Sequence, residues 1–234
     1  MPRPRPPTDS SHQAAPALLR REALPASGIW SADQVDGCLR YAALVNGRTR
    51  VLPTWLLTIP DCQVAARVAI LLGGELDVDD DGSGQSFQVV TGHPELDVLL
   101  DGPCAIGLRM LRRHGSSVLR TCDSRTQQTA SGKQPCQCPP TFKGRWEAAK
   151  MGSGCEPLVQ VTIRLAADPR LGRFLLSSAT WTFADHATKV KAALHRQHDT
   201  PVRARLLIDR ALCLTRSVTT FVYTRPTIML LPTP

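Results

Sequence analysis

Residues 158–165, Leu-Val-Gln-Val-Thr-Ile-Arg-Leu, carry the clearest strand pattern in the sequence. The odd-numbered positions from 159 to 165 are apolar, whereas Gln160, Thr162 and Arg164 are polar. Because successive side chains of a strand point to opposite faces, this alternation predicts a β-strand. We therefore expect a fold organised around extended segments.

Working outward from this stretch, ten further short runs have the composition and length of strands. They are residues 38–45, 50–57, 75–78, 87–90, 96–100, 105–111, 117–121, 173–178, 202–214 and 219–230. Turn residues at Asn46-Gly47 separate the first two runs, and residues 215–218 join the last two into a predicted long hairpin.

Two helices are predicted between these runs. The first covers residues 63–72, with Asp61 as its N-cap and Gly73-Gly74 as its end. The second covers residues 183–196, where Thr182 and Asp185 form a capping-box pattern. The sequence therefore predicts an α+β fold of mostly antiparallel strands with two or more helices and, as argued next, a four-cysteine zinc-bound insertion.

Cysteines mark the most informative part of the chain. Four of the eight cysteines, Cys122, Cys136, Cys138 and Cys155, fall in one polar stretch rich in Gly, Pro, Ser, Thr and Gln. Thirteen, one and sixteen residues separate them. Such a stretch has few apolar side chains with which to order itself, and four thiolates on one structural zinc would hold it.

Other interpretations of the cysteines stay open at this point. His114 or Asp123 is the main candidate for a mixed ligand set, and an oxidised or unliganded loop is the alternative to a metal site. The remaining cysteines, at positions 38, 62, 104 and 213, each lie in or beside an apolar run and are predicted to be small buried residues.

Composition divides the chain into four parts. Residues 1–25 are rich in proline and are predicted to be a disordered arm, residues 26–121 form an N-terminal α+β part, residues 122–157 the zinc-binding module, and residues 158–234 a basic C-terminal part. No apolar run is long enough for a membrane span, and the N-terminus lacks the apolar core of a secretory signal. We expect a cytoplasmic protein.

The net charge of +8 is concentrated near the C-terminus. From Gln160 onward there are eleven Lys or Arg against four Asp. The candidate binding residues are Lys189, Lys191 and Arg196 on the second helix and Arg203, Arg205 and Arg210 on the hairpin. These side chains suit either phosphates of a nucleic acid or an acidic protein partner.

Several tempting sites have simpler explanations. Asp77-Val78-Asp79-Asp80-Asp81-Gly82 begins like a calcium loop but has Gln88 at the twelfth position, so an exposed acidic turn is predicted. His186, His195 and His198 are predicted to belong to a polar helix end. The sequence offers no persuasive catalytic constellation, and we expect neither an enzyme nor a small-molecule substrate.

A set of short motifs extends over about residues 28–230: residues 119–123 (LRTCD), 136–139 (CQCP), 155–157 (CEP), 161–165 (VTIRL), 172–178 (GRFLLSS), 204–208 (ARLLI) and 220–223 (TFVY), with Gly73-Gly74 after the first helix. On these motifs the sequence resembles one family, the recombination directionality factors that work with large serine integrases of Streptomyces temperate phages. The four-cysteine core is the most specific part of the resemblance.

This resemblance implies a non-enzymatic accessory protein of the bacterial host cytoplasm. Such factors bind the integrase on DNA and favour recombination of attL with attR over attP with attB, and the four cysteines would hold a structural zinc. Contacts to nearby DNA are compatible with this role. The alternative function is a nonspecific or single-stranded DNA-binding protein of phage replication.

Overall fold

The fold is given by a computed structural model that describes residues 34–45, 48–79, 86–114, 117–123, 125–129, 131–197, 201–214 and 220–232. Several predictions lie outside these residues or only partly within them, among them the arm at 1–25, the turn at Asn46-Gly47, half of the acidic turn at 77–82, and the hairpin turn at 215–218. Among the helices of the described part, none is long and apolar enough to span a bilayer.

Thirteen strands and three α-helices lie within the described residues. The strands are β1 Gly37–Val45, β2 Arg48–Ile59, β3 Glu75–Asp79, β4 Ser86–Val90, β5 Glu95–Leu100, β6 Ile106–His114, β7 Ser117–Cys122, β8 Thr126–Thr129, β9 Gly132–Pro135, β10 Glu156–Leu165, β11 Phe174–Ser178, β12 Val202–Leu214 and β13 Thr220–Leu230. The helices are α1 Cys62–Leu72, α2 Phe142–Lys150 and α3 Trp181–Leu194. The predicted α+β class is confirmed, and all eleven predicted extended runs are strands.

The strands form one branched sheet in which antiparallel pairing dominates. The long path runs in the order β3-β4-β2-β1-β11-β10-β6-β7-β8-β9. The pairing of β1 with β11 is parallel, whereas the other pairs of described strands are antiparallel. A second branch leaves the C-terminal end of β10, where Arg164 and Leu165 pair with β5, and continues through β12 to β13.

Strand β10, which contains residues 158–165, lies at the junction of the two branches. It pairs with β6 on one side and β11 on the other, and its last two residues pair with β5. The alternation of polar and apolar residues does not give an exposed face, since Gln160 and Thr162 are each only 5% exposed. The hydroxyl of Thr162 donates to the carbonyl of Ala105, so this buried polar group is satisfied.

Helix α1 follows the sequence signals closely. The Asp61 carboxylate accepts hydrogen bonds from the backbone N–H groups of Gln63 and Val64, at 2.8 and 3.0 Å. At the other end Gly73 adopts the left-handed conformation, with φ of 59°, and donates its N–H to Ala69. The predicted cap and stop of this helix are confirmed, because side-chain capping and a C-terminal glycine satisfy the free backbone groups of a helix.

Helix α3 confirms one prediction and corrects another. Its apolar positions, Phe183, Ala187, Val190 and Leu194, are buried in the main core as predicted. The predicted capping box of Thr182 and Asp185 is wrong because the helix begins earlier, at Trp181, with Thr180 as its N-cap and no side-chain capping bond. The Asp185 carboxylate instead pairs with Lys189 at 2.6 Å, one turn further along the helix.

The cysteine stretch contains more secondary structure than its composition predicted. Strands β8 and β9 form a hairpin that extends the sheet beyond β7, and α2 follows the hairpin. Most side chains of this hairpin are polar, and α2 buries none of its residues. Apolar periodicity does not detect such elements, because they bury almost no apolar side chains.

A tight contact joins the start of β1 to the turn before β11. The N–H of Asp36 donates to the carbonyl of Arg173, and the Asp36 carboxylate accepts from the Arg173 N–H, both at 2.8 Å. Gly172 lies beside this pair with φ of 103°, and a Cβ at this position would fall 2.1 Å from Asp36 Oδ2. Only glycine fits here without displacing the Asp36 side chain.

We expect Gly172→Ala to lower the free energy of unfolding by roughly 2–4 kcal/mol, because it adds backbone strain and breaks the Asp36 hydrogen bond. Urea unfolding followed by circular dichroism measures the change. Gly132→Ala is the matched control, since Gly132 has φ of 100° but a Cβ added there would meet no atom within 4 Å. The control should lose only about 1 kcal/mol, and equal losses in the two variants would contradict the steric explanation.

Candidate metal centre

Four thiols converge at one end of strands β7, β9 and β10. The Sγ atoms of Cys122, Cys136 and Cys138 all lie within 4.8 Å of one another. The Sγ of Cys138 lies 3.7 Å from that of Cys122 and 3.4 Å from that of Cys155. The structure therefore brings together all four cysteines that the sequence selected.

The sheet positions two of these cysteines. Cys122 is the last residue of β7, where it pairs with Met110 of β6, and Cys155 directly precedes β10. Because β6 also pairs with β10, in a register that joins Met110 to Pro157, the two cysteines flank the same strand. They are the buried pair of the cluster, with exposures of 3% for Cys122 and 1% for Cys155.

The gap of thirteen residues between Cys122 and Cys136 is explained by the β8–β9 hairpin. Thr126, at the start of β8, pairs with Pro135, at the end of β9, so the hairpin brings the chain back to the end of β7 where Cys122 lies. The Cys136 N–H then donates to the carbonyl of Arg125 at 2.9 Å. Within the Cys-x-Cys pair, the N–H of Cys138 points at Cys136 Sγ over 3.4 Å.

The gap of sixteen residues between Cys138 and Cys155 contains α2. Arg145 of this helix donates from Nε to the carbonyl of Pro139 at 2.7 Å, which ties the helix to the Cys-x-Cys turn. After the helix, the Gly154 N–H donates to the carbonyl of Ala148 at 2.8 Å. A Cβ on Gly154 would fall 2.5 Å from the Ala149 nitrogen, so this close return to Cys155 requires glycine.

Arg120 provides a positive charge beside the cluster. Its Nε donates to Cys155 Sγ at 3.4 Å, and its Nη1 lies 3.4 Å from Gln127 Oε1 and 3.3 Å from Gln137 Oε1. Burial lowers the pKa of Arg120, but its hydrogen bond to Cys155 and the nearby thiolate charge outweigh burial and raise it. The guanidinium therefore stays charged beside the sulfur atoms.

The pKa values of two thiols in the cluster, Cys155 and Cys138, are shifted in opposite directions. A hydrogen bond from the Cys122 thiol, followed by the hydrogen bond from Arg120, lowers the pKa of Cys155, although burial acts in the opposite direction. Burial is the main cause that raises the pKa of Cys138. The lowered pKa favours the thiolate form of Cys155, and thiolates rather than thiols are the ligands of soft metal ions.

Apolar side chains close the rear of the site. Met110 is buried against Cys122 and Cys155, while Trp181 at the start of α3 packs against the same cluster. Cys136 and Cys138 are half-buried and lie toward the surface of the module. The arrangement can hold a metal ion in a pocket of four sulfur atoms that is partly shielded from solvent.

The candidate oxygen ligand Asp123 is already engaged elsewhere. Its carboxylate accepts hydrogen bonds from the N–H groups of Arg125 and Thr126, at 2.9 and 2.7 Å, and from the Thr126 hydroxyl at 3.1 Å. These bonds, led by the one from Thr126, lower the pKa of Asp123. Asp123 shapes the turn into β8, and the side chain of His114 lies outside the described part of the structure.

The remaining cysteines correct a prediction. Cys62 and Cys104 are exposed and Cys38 is half-buried, so the expectation of four buried thiols is wrong for these positions. Cys62 opens α1 and Cys104 lies in the short 3₁₀ helix Pro103–Ala105, and both sites face solvent although apolar residues surround them in sequence. The side chain of Cys213 lies outside the described part of the chain.

The six basic residues predicted to bind a partner have different environments. Lys189, Arg196, Arg203 and Arg210 are exposed. Lys191 donates to the carbonyl of Ile106 at 2.8 Å, and Arg205 pairs with Asp97 at 2.7 Å and with Glu95 at 3.3 Å. The last two therefore hold elements of this chain together.

The predicted polar helix end contains one histidine with a packing role. His186 of α3 is half-buried, and its Nε2 lies 3.0 Å from the backbone N–H of Ile228 on β13. The same Nε2 lies 3.0 Å from the carbonyl oxygen of Ile228, so the tautomer of the ring decides whether it donates or accepts, and burial is the main cause that lowers the pKa of this histidine. His195 is exposed beyond the helix, and His198 is outside the described residues.

Arg120, Gln127 and Gln137 are the parts of the site that the sequence patterns did not select. Arg120 lies two residues before Cys122 on β7, and the period of two in a strand places both residues on one face. That spacing is present in the sequence. The two glutamines have no comparable signal, because only the hairpin brings them to Arg120.

Comparison with known proteins adds no assignment to this geometry. No family model matches the chain, and no solved structure matches it. The chemical interpretation of the site therefore rests on the thiol geometry itself.

We expect the purified protein to contain one thiolate-bound metal ion per chain, and Cys138→Ser to lose it, since Cys138 contacts the other three cysteines. Elemental analysis after gel filtration measures the metal content, and thermal unfolding should show a large loss of stability in the variant. Cys62→Ser is the matched control because this thiol is exposed on α1. Metal-free wild-type protein would contradict the prediction.

We expect Arg120→Met to release the metal at a higher pH than the wild type, by on the order of half to one pH unit. Arg120 lowers the pKa of Cys155, so the thiolate persists until the pH falls through this lowered value; without Arg120 protons compete for the sulfur earlier. A chromophoric chelator monitors release during acid titration. Arg125→Met, an exposed arginine of the same module, should titrate like the wild type.

Proposed function

We propose that this protein is a recombination directionality factor-like accessory protein that binds a large serine integrase. In this role it switches the integrase from integration to excision, the recombination of attL with attR, in the cytoplasm of the bacterial host cell. One observation carries the proposal: Cys122, Cys136, Cys138 and Cys155, the most specific part of the resemblance to that family, meet in one cluster. The proposed role requires no catalytic residue in this chain.

We propose zinc as the metal of the cluster. With Zn–S bonds of about 2.3 Å, the sulfur atoms of a tetrahedral site are separated by about 3.8 Å. The distances of 3.7 Å from Cys122 to Cys138 and 3.4 Å from Cys138 to Cys155 are close to that value. Four protein ligands leave no position for a water molecule, so this zinc would be structural.

A switch in direction requires only a difference in affinity. If the protein binds the integrase arrangement on attL and attR more tightly than the arrangement on attP and attB by about 2–3 kcal/mol, the balance shifts by about 30- to 150-fold. A rigid protein surface can supply this difference. The metal site supports such rigidity, because it fixes both ends of α2 through Cys138 and Cys155.

Two surfaces suit the proposed contact. One is the zinc module itself, and the other carries the exposed basic side chains of Lys189 on α3, Arg196 just beyond α3, and Arg203 and Arg210 on β12. Their positive charge fits acidic groups of the integrase and the phosphates of the DNA to which it is bound. DNA would then be a secondary partner within the integrase complex.

We expect the purified protein, added to its cognate integrase with attL and attR substrates, to produce attB and attP products and to co-elute with the integrase. The reason is that it stabilises the excision synapse without taking part in strand chemistry. Gel electrophoresis of the products and gel filtration measure the two effects. The genomic neighbourhood identifies the integrase to use.

The DNA-binding alternative has a distinct outcome in the same experiment. A single-strand or nonspecific DNA-binding protein would shift bare DNA without integrase, and salt would weaken that binding steeply. Replacing Arg203 and Arg210 with glutamine would then remove the shift. Such binding together with no excision and no co-elution would overturn the directionality proposal.

A further inference from the structure

Helix α2 presents aromatic side chains to solvent. Phe142 is 47% exposed and Trp146 is 39% exposed, and none of the residues of this helix is buried. Phe142, Trp146 and Lys150 follow one another at intervals of four residues, so they lie on one side of the helix, here called the α2 stripe. Met151, directly after the helix, is 76% exposed.

The opposite side of α2 is fixed to the metal module. A Cβ on Gly144 would fall 3.0 Å from Pro139 Cβ, which shows how closely the helix approaches the Cys-x-Cys turn. Arg145 adds its hydrogen bond to the carbonyl of Pro139. The α2 stripe is therefore held by contacts on the other side of a short helix and, at its first residue, by the packing of Phe142 against Trp181, so its exposure does not come from a loosely attached segment.

The aromatic rings of the stripe are arranged for contact with a protein rather than for stacking with bases. The Lys150 ammonium lies 3.5 Å from the centre of the Trp146 ring, so one face of the indole is already covered by a cation. The Phe142 ring meets the Trp181 ring edge to face at 5.2 Å. A base stacked on that face of the indole would have to displace Lys150, whereas an apolar side chain can pack beside the rings.

Charge around the stripe indicates the chemistry of the partner. On and beside the stripe, helix α2 carries two basic residues, Lys150 and Lys143, against one acidic residue, Glu147, whereas Arg145 is bound to the Pro139 carbonyl on the other side of the helix. Lys143 is 82% exposed and is only loosely paired with Glu147, at 3.9 Å. An apolar stripe bordered by cations is complementary to apolar side chains bordered by carboxylates. Tryptophan, methionine and arginine are also enriched in protein interfaces.

We propose that the α2 stripe is the docking site for an acidic segment of the integrase, in which exposed apolar side chains are flanked by Asp or Glu. The inference rests on the proposed function and adds to it the surface and the type of segment recognised. Trp146 is the central anchor, and Lys143 and Lys150 bind the flanking carboxylates. The metal cluster positions the stripe but does not contact the partner.

The test compares variants of the full-length, metal-loaded protein for binding to purified integrase on attL and attR DNA. Trp146→Ala should weaken binding by about 10- to 30-fold, and the double change Lys143→Glu with Lys150→Glu should weaken it and reduce its dependence on salt. Ile70→Ala and Arg67→Glu are matched controls. Ile70 is 78% exposed and the Arg67 side chain is 60% exposed, both on α1, which contacts β2, β3 and β4 far along the sheet from β9.

The outcomes separate this inference from the proposed function. Elemental analysis shows whether each variant retains its metal and hence its fold. Unaltered protein that fails to bind integrase overturns both proposals. If the unaltered protein binds and supports excision, but metal-loaded Trp146→Ala and the charge variant bind equally well, only the docking site is overturned. The docking site is also overturned if the variants still bind integrase but no longer bind bare DNA. In that case the α2 stripe would be a nucleic-acid-binding surface.

Discussion

The backbone pairing of β10 is the interaction on which the rest of the structure depends. This strand pairs with β6, β11 and β5, so both branches of the sheet meet along its length. Cys155 stands directly before its first residue, which places the cysteine cluster at the fixed end of the most enclosed strand. The position of the module is therefore set by the sheet, and its internal order is set by the thiols.

The sequence predicted those parts of the fold whose stability comes from local signals. The alternation in residues 158–165 identified β10, and Asp61 with Gly73 defined the ends of α1, because period-two burial and helix caps act over a few residues. The β8–β9 hairpin and α2 were missed. They contain little buried apolar surface, and their order comes from backbone pairing with β7 and from cysteines that are distant in sequence.

The sequence predicted the four cysteine ligands of the candidate site, but it did not predict the residues around them. Clustering in a polar stretch was enough to separate Cys122, Cys136, Cys138 and Cys155 from the other cysteines. The isolated thiols of Cys62 and Cys104 were predicted to be buried, but they are exposed. Apolar neighbours in the sequence do not determine which side of a helix or strand faces the core. For the same reason the sequence did not predict the contact of Gln137 with Arg120 or the exposure of the aromatic rings of α2, since both depend on how the elements pack in the folded chain.

The way α2 is held has an energetic consequence for recognition. A helix of nine residues without a buried side chain would be marginal in isolation, because nucleation of a helix is unfavourable and tertiary packing normally compensates. Here the cysteines at both ends of the segment replace much of that packing. A partner that binds Trp146 therefore does not have to order the helix, and the entropy cost of association falls mainly on the side chains in contact. In the proposed complex, a metal held by these cysteines would thus raise affinity by keeping a small surface rigid.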